Sequence, residues 1–186
     1  DMADDVAAGA QLLAGGKQLE LKRVPASVGE DGLDISALLR ETGDVTLDSG
    51  FVNTASCTSK ITFIDGDKGI LRYRGYPIEQ LAAQSNFLEV SYLLIYGELP
   101  TQEQADAFDA KLRRHTLLHE DLKLFFNGFP RDAHPMPVLS SAVSALSTLY
   151  QDSLDPSDQA QVEIPTHRRL AKLPTIAAYA YKKSVG

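Results

Sequence analysis

The sequence is poor in residues that would staple it, anchor it or make it basic. Cys57 is its single cysteine, so no intrachain disulfide can form and a reducing compartment is expected. No apolar run approaches the roughly 20 residues of a membrane-spanning helix, so no membrane partner is expected. Lys and Arg number 18 against 25 Asp and Glu, for a net charge of −7. That balance argues against a nucleic-acid surface but leaves room for a local basic cluster that binds an anion. The first basic residue is Lys17. An acidic start of this kind matches neither the positive n-region of a secretory signal nor an Arg-rich transit peptide, so a cytoplasmic protein is expected. Internal repeats and low-complexity segments are also lacking. What remains, in 186 residues with 44% hydrophobic and 23% charged, suits one globular domain with space for a small second one.

The character of the chain changes once. Residues 1–16 carry no pattern and are expected to be a disordered leader. Over 17–76 the signals are β-rich. KQLELKRV alternates apolar and polar positions up to Pro25, as a half-buried strand does. LDISALLRETG reads as a short helix stopped by Gly43. KITFIDGDKGILRYRGYP reads as a hairpin turning through Asp and Gly. Over 77–186 the pattern is helical. Pro77 suits a first helical turn, Ser85 or Asn86 can cap FLEVSYLLIYG before Gly97, and Thr101 with Gln104 forms a capping box. HEDLKLFFNGF and PMPVLSSAVSALSTLY give two more helices, and THRRLAK and PTIAAYAYKK a further helical stretch each. The expected fold is mainly α, with a small β-rich N-terminal segment followed by a multi-helix domain.

Several residues invite a chemical reading. Asp65 and Asp67 alternate as calcium ligands would, but the sixth and twelfth loop positions are Ile70 and Tyr76 rather than Gly and an acidic residue, which argues against an EF-hand. In RRHTLLHED, His115 and His119 would lie one turn apart on a helix, within reach of one zinc ion. Thr116 and Leu118 stand where the two zinc-protease patterns need Glu, and no third ligand is visible, so no metal is expected. The plainer reading packs Leu112, Leu117 and Leu118 inward and leaves the basic residues at the surface. Arg131, Asp132 and His134, bracketed by Pro130 and Pro135, read as capping and local ion pairing. Cys57 lacks an activating neighbour and reads as structural. Tyr92, Tyr96, Phe125 and Phe126 are expected to fill helix interfaces. Arg114, His115, Tyr150, Arg168, Arg169 and Lys172 form a basic and aromatic set which, if it converged, would make an anion site.

The stretches SKITFIDGDKGILRYRGYPIEQLA, FLEVSYLLIYGELPT, RRHTLLHED, FPRDAHPMPVL, YQDSLDP and RLAKLPTIAAYAYKKSVG resemble, in order and spacing, the N-terminal part of bacterial citrate synthases. The resemblance runs from about residue 43 to Gly186. It is nearest the long-chain type, and YAYKKSVG has an actinobacterial look. It implies an enzyme that condenses acetyl-CoA with oxaloacetate. An Asp removes a methyl proton, one His stabilises the enol, and a second His assists at the oxaloacetate carbonyl, without metal or redox cofactor. The family segments bearing those groups lie beyond the stretch that matches Gly186. The resemblance therefore implies no catalytic residue in this chain, and a fragment inactive on its own, with apolar surface exposed to self-association. Long-chain members from Gram-negative bacteria are hexamers inhibited by NADH, and Arg114, His115, Tyr150, Arg168 and Lys172 match positions lining that nucleotide site, with Leu117 in place of a Met. A homo-oligomer, dimer or hexamer, is implied for the complete enzyme. The alternatives are a noncatalytic helical module for assembly or nucleotide sensing, and a relative that makes 2-methylcitrate from propionyl-CoA.

Overall fold

The computed structural model describes residues 9–151, 155 and 157–186. The chain forms two compact units, Asp1–Ile78 and Glu79–Gly186.

The first unit is built from short antiparallel pairs. β1 (Ala10–Ala14) and β2 (Lys17–Leu21) pair in register from Ala10 opposite Leu21 to Ala14 opposite Lys17. Gly15 and Gly16 join them at φ +57° and +74°, the two positive φ values that a type I′ turn requires. This corrects the expectation of a disordered leader over 1–16: residues 10–14 are a strand, and 1–8 lie outside the described residues. β3 (Arg23–Val24) pairs with β4 (Gly32–Leu33), with Arg23 facing Asp31 at 3.9 Å. α1 (Leu38–Thr42) ends as expected at Gly43, φ +82°. Lys17 Nζ donates to the Glu41 carbonyl, tying β2 to the end of this helix.

The expected hairpin is present as β5 (Thr62–Asp65) and β6 (Ile70–Tyr73), and a second tight turn adds β7 (Tyr76–Pro77). Pro77 is thus the last strand residue rather than part of a helical turn. Asp65 accepts from Lys68 Nζ at 2.9 Å and from the Lys68 amide at 3.0 Å, and the lysine hydrogen bond holds its carboxyl below the usual range. A turn lysine therefore sits where the calcium reading would have put a cation.

The second unit is helical. α2 (Ile78–Gln84) leads into α3 (Phe87–Tyr96), whose N-terminus is closed by Asn86 and Glu89 in a reciprocal capping box and whose C-terminus is closed by Gly97 at φ +98°. α4 (Gln102–Arg113) starts at the Thr101 and Gln104 capping box read from the sequence. α5 (Glu120–Phe125) runs into a single 3₁₀ turn at Phe126–Gly128. α6 (Pro135–Leu149) is capped by His134, whose Nδ1 accepts from the Met136 amide at 3.2 Å.

The last helix, α7 (Gln159–Val185), is one continuous 27-residue element where two were expected. Pro165 and Pro174 each remove a backbone donor but do not end it. Buried residues on either side explain this: Ala171 and Lys172 precede Pro174 and Ile176 follows it. Tertiary packing outweighs the helix-breaking tendency of an isolated proline.

Two apolar clusters share α7. One joins Phe108 and Leu112 of α4 to Ala171, with Leu88 and Tyr92 against it. The other joins Leu118, Leu122 and Phe126 to Val138, Ala142 and Leu146 of α6 and to Ile176. Ala142, fully buried, lets α6 and α7 approach closely. Of the aromatic residues expected at interfaces, Tyr92 and Phe126 behave so. Phe125 is 39% exposed and Tyr96 41% exposed, each set at the rim of its cluster.

Candidate functional site

α4 and α5 are separate helices, and this decides the geometry around RRHTLLHED. α4 stops at Arg113, Arg114 follows as its C-cap, and His119 is the N-cap of α5, its Nδ1 accepting from the Asp121 amide at 3.2 Å. His115 and His119 are therefore not successive turns of one helix. Among the described residues no group of three or more His, Cys, Asp or Glu is placed to hold a metal ion. The connection also overturns the inward packing expected of Leu117, which is 81% exposed, while Leu112 and Leu118 are buried. These two leucines belong to different clusters, so the chain between them must cross the surface from one to the other.

α7 crosses the same seam. Lys172 follows Ala171 of the first cluster and precedes Ile176 of the second, and it is 3% exposed. An unpaired buried ammonium is costly, so its donors need partners. Lys172 Nζ donates to the His115 carbonyl at 2.9 Å and to the Leu117 carbonyl, and lies 5.3 Å from the centre of the Tyr150 ring. Arg168, one turn earlier on α7, holds its guanidinium 4.6 Å from the same ring centre. Each is a cation–aromatic contact of the kind that the ring quadrupole favours.

His115 borders this set. Burial lowers its pKa first, and the positive charges of Arg168, Lys172 and Arg114 lower it further, so the imidazole is neutral at pH 7. A bound anion would offset those charges and favour the protonated ring. Arg114, His115, Tyr150, Arg168 and Lys172 thus lie near one another, around the Tyr150 ring and the His115 imidazole. Arg169 is exposed on α7.

A second polar cluster was not foreseen. His167 is 5% exposed on α7. Its Nε2 lies 3.0 Å from the Tyr96 hydroxyl, which donates to Glu163 at 3.3 Å. A hydroxyl has one proton, so both contacts are hydrogen bonds when Nε2 carries a proton and Tyr96 accepts it. The ring packs edge-on to Phe108 at 5.5 Å, and Lys111 pairs with Glu163 at 3.5 Å. Burial lowers the pKa of His167, with Glu163 opposing and Lys111 and His115 adding to the effect. The sequence signal was the spacing of Glu163 and His167, four apart on one helix face. Elsewhere Cys57 is free and exposed. No helix among the described residues is long and apolar enough to cross a membrane.

The helical unit is a bundle whose last helix, α7, carries a basic and aromatic cluster on one stretch and a buried histidine cluster on another. The chain belongs to the citrate synthase family: residues 50–186 match the family model for "Citrate synthase, C-terminal domain". It is 64% identical over 171 residues to citrate synthase 1 of Mycobacterium tuberculosis, covering 92% of this chain and 40% of that protein. To the citrate synthase of Corynebacterium glutamicum it is 53% identical, covering 92% and 39%. The chain thus spans about two fifths of the length of these curated relatives. Among solved structures, citrate synthase from Pyrobaculum aerophilum aligns with a TM-score of 0.65 at 34% identity, covering 74% of this chain and 36% of that one. Citrate synthase from Thermotoga maritima aligns with a TM-score of 0.63 at 30% identity, covering 76% and 36%.

Proposed function

We propose that this chain is the N-terminal part of a citrate synthase that joins acetyl-CoA to oxaloacetate and releases citrate and CoA, and that its own residues supply scaffold and regulation rather than catalysis. The observation that carries this reading is the 64% identity to an actinobacterial citrate synthase over 171 residues. No described cluster pairs a carboxylate and histidines around an open cavity in the way enolisation of a thioester needs. In support, the two buried or half-buried histidines of the helical unit are already engaged: His167 by Tyr96, and His115 by a surround of cations. The enzyme works in the cytoplasm as a homo-oligomer, and exposed apolar residues on the helices, among them Leu124, Leu173 and Tyr181, suit burial against further protein.

The regulatory part of the reading assigns the cluster of Arg114, His115, Tyr150, Arg168 and Lys172 to an anionic nucleotide, with NADH as effector. Guanidinium groups bind phosphate through paired, charge-assisted hydrogen bonds, and the Tyr150 hydroxyl adds a polar handle. The test is release of free thiol from acetyl-CoA, with and without oxaloacetate, by this chain and by the full-length protein. Only the full-length protein is expected to release CoA, and NADH is expected to slow it. Comparable turnover by the short chain would refute the assignment of chemistry to residues outside it. Turnover indifferent to NADH would refute the regulatory part alone.

A further inference from the structure

The helical unit holds a cavity of about 360 Å³ at the C-terminal end of α7. Its walls are apolar: Phe129, Met136 and Leu139 from the start of α6 and the loop before it, and Ala177, Ala180 and Tyr181 from the last turns of α7. The sequence makes the space. Residues 177 and 180 fall on one face of the helix, and alanine at both leaves open a strip that longer side chains would fill. The floor is the core itself, with Phe126 1% and Val138 7% exposed. The rim is uncovered: Met136 is 60% and Tyr181 64% exposed. An apolar groove open above a buried core gains stability when something apolar fills it.

The occupant is indicated by the way the chain leaves α7. Gly186 follows the helix at φ +97°, the left-handed conformation that turns a chain back over a helix end. Helices closed in this way commonly pack the residue after the glycine against a side chain of their last turns. The position five before the glycine is Tyr181, a wall of the groove. Gly186 also sits at the rim: a side-chain carbon placed on it would lie 3.7 Å from Nη1 of Arg131, which lines the cavity. Arg131 thus brings a positive charge to the negative end of α7, where the last carbonyls lack helical partners. Lys183, also at the rim, is drawn to the 3₁₀ turn by its hydrogen bond to Asn127 Oδ1 at 2.8 Å. The curated relatives extend well beyond the stretch matched here, which is about two fifths of their length. We propose that the groove seats the segment directly following Gly186 in the complete protein: the chain turns at the glycine and lays an apolar side chain between Met136 and Tyr181. This rests on the reading of the chain as the N-terminal part of a longer enzyme. The next segment then completes the contact between the start of α6 and the end of α7.

Peroxide oxidation of Met136, read by peptide mass, tests this without any substitution. It is run on the full-length protein with this 186-residue chain beside it. Met136 is expected to oxidise about tenfold or more slowly in the full-length protein, because a covered side chain is reached only through local opening. The factor is expected to be the same at low and high protein concentration. Photo-methionine at position 136 is expected to cross-link within about ten residues of Gly186, the reach of an extended chain across the groove. Ala177→Leu fills the groove from α7 and competes with the segment, so it is expected to bring the Met136 rate in the full-length protein back towards that of the short chain. Equal rates in the two unaltered proteins would overturn the proposal. So would protection that fades on dilution, which marks a second copy as the occupant, or cross-links confined to a distant part of the chain. If the full-length protein releases CoA while Met136 stays open, the groove assignment falls alone. If it releases none, the enzymatic reading falls, and the oxidation and cross-linking results still decide what fills the groove.

Discussion

Acidification is expected to weaken the helical unit through His167, and the effect has a calculable limit. The ring is 5% exposed, edge-on to Phe108 and hydrogen-bonded to Tyr96. The charged and titratable groups facing it are Glu163 from its own helix, Lys111 from α4, Tyr96 from α3 and His115 from the connection after α4. Their sum with burial puts the folded pKa below the ordinary value of 6.5. The unfolded chain therefore takes up a proton at a pH where the folded one does not. The stability due to the neutral ring is complete above 6.5 and is lost as pH falls from there through the lowered folded value. In that window a single group gives a slope of at most about 1.4 kcal/mol per pH unit. His115 is lowered in the same direction and adds to the slope. The carboxyls of Asp34, Asp48, Asp65 and Asp155 are lowered from 3.8, so their contributions vanish at far lower pH and leave the histidine window clear. Urea unfolding at steps from about pH 5 to 7.5 measures the slope, and His167→Gln supplies a side chain that cannot titrate. The variant is expected to lose about 1 kcal/mol at pH 7 from its altered hydrogen bond and to show a shallower slope between pH 5 and 6.5. Equal slopes for the two proteins would refute this reasoning, as would greater stability at acid pH.

Other perturbations test the packing and the caps. Ile176→Ala opens a cavity at a fully buried position between α6 and α7 and is expected to cost about 2–5 kcal/mol in urea unfolding. Asn86→Ala removes the acceptor for the amides of Leu88 and Glu89, which is expected to cost about 1 kcal/mol of stability. Gly97→Ala meets no steric obstacle but must adopt φ +98°, so a loss of about 1 kcal/mol is expected from backbone strain alone. Cys57, exposed and unpaired in a disulfide, is expected to react with a thiol reagent in the folded protein, with one equivalent consumed without denaturant.

The legible parts of the fold were those with local punctuation. Gly43 and Gly97 end helices where the sequence marks an end, and Thr101 with Gln104 opens α4 where the spacing demands a capping box. The hairpin at 62–73 declared itself by alternation and a Gly-Asp turn. Of the hairpin at 10–21 only the second strand was legible, from the alternation in KQLEL; the first, AQLLA, is too short a run to show a period by itself. The single long α7 was illegible because two prolines are local breakers, whereas its continuity comes from partners more than twenty residues away in sequence. Leu117 was misjudged for the converse reason. A 3.6-residue period was carried across RRHTLLHED, but the helix stops at Arg113 and His119 starts another, so every side-chain direction between them is reset.

The basic cluster was legible as a set of residue types but not as an arrangement, and the difference lies in Lys172. From sequence it is one more cation on a helix face, interchangeable with Arg168 or Arg169. In the fold its neighbours Ala171 and Ile176 belong to two different apolar clusters, so the residue between them must lie at the seam. Burial there forces its ammonium onto carbonyls, and the nearest carbonyls are those of the chain segment that crosses the same seam. Arg168 sits one turn earlier, half-buried and with its guanidinium 4.6 Å from the Tyr150 ring centre. The different burial of two neighbouring basic residues thus follows from where α7 passes between clusters. A Lys and an Arg exchanged between positions 168 and 172 would conserve composition and charge while leaving a bulky guanidinium in the space of a single ammonium.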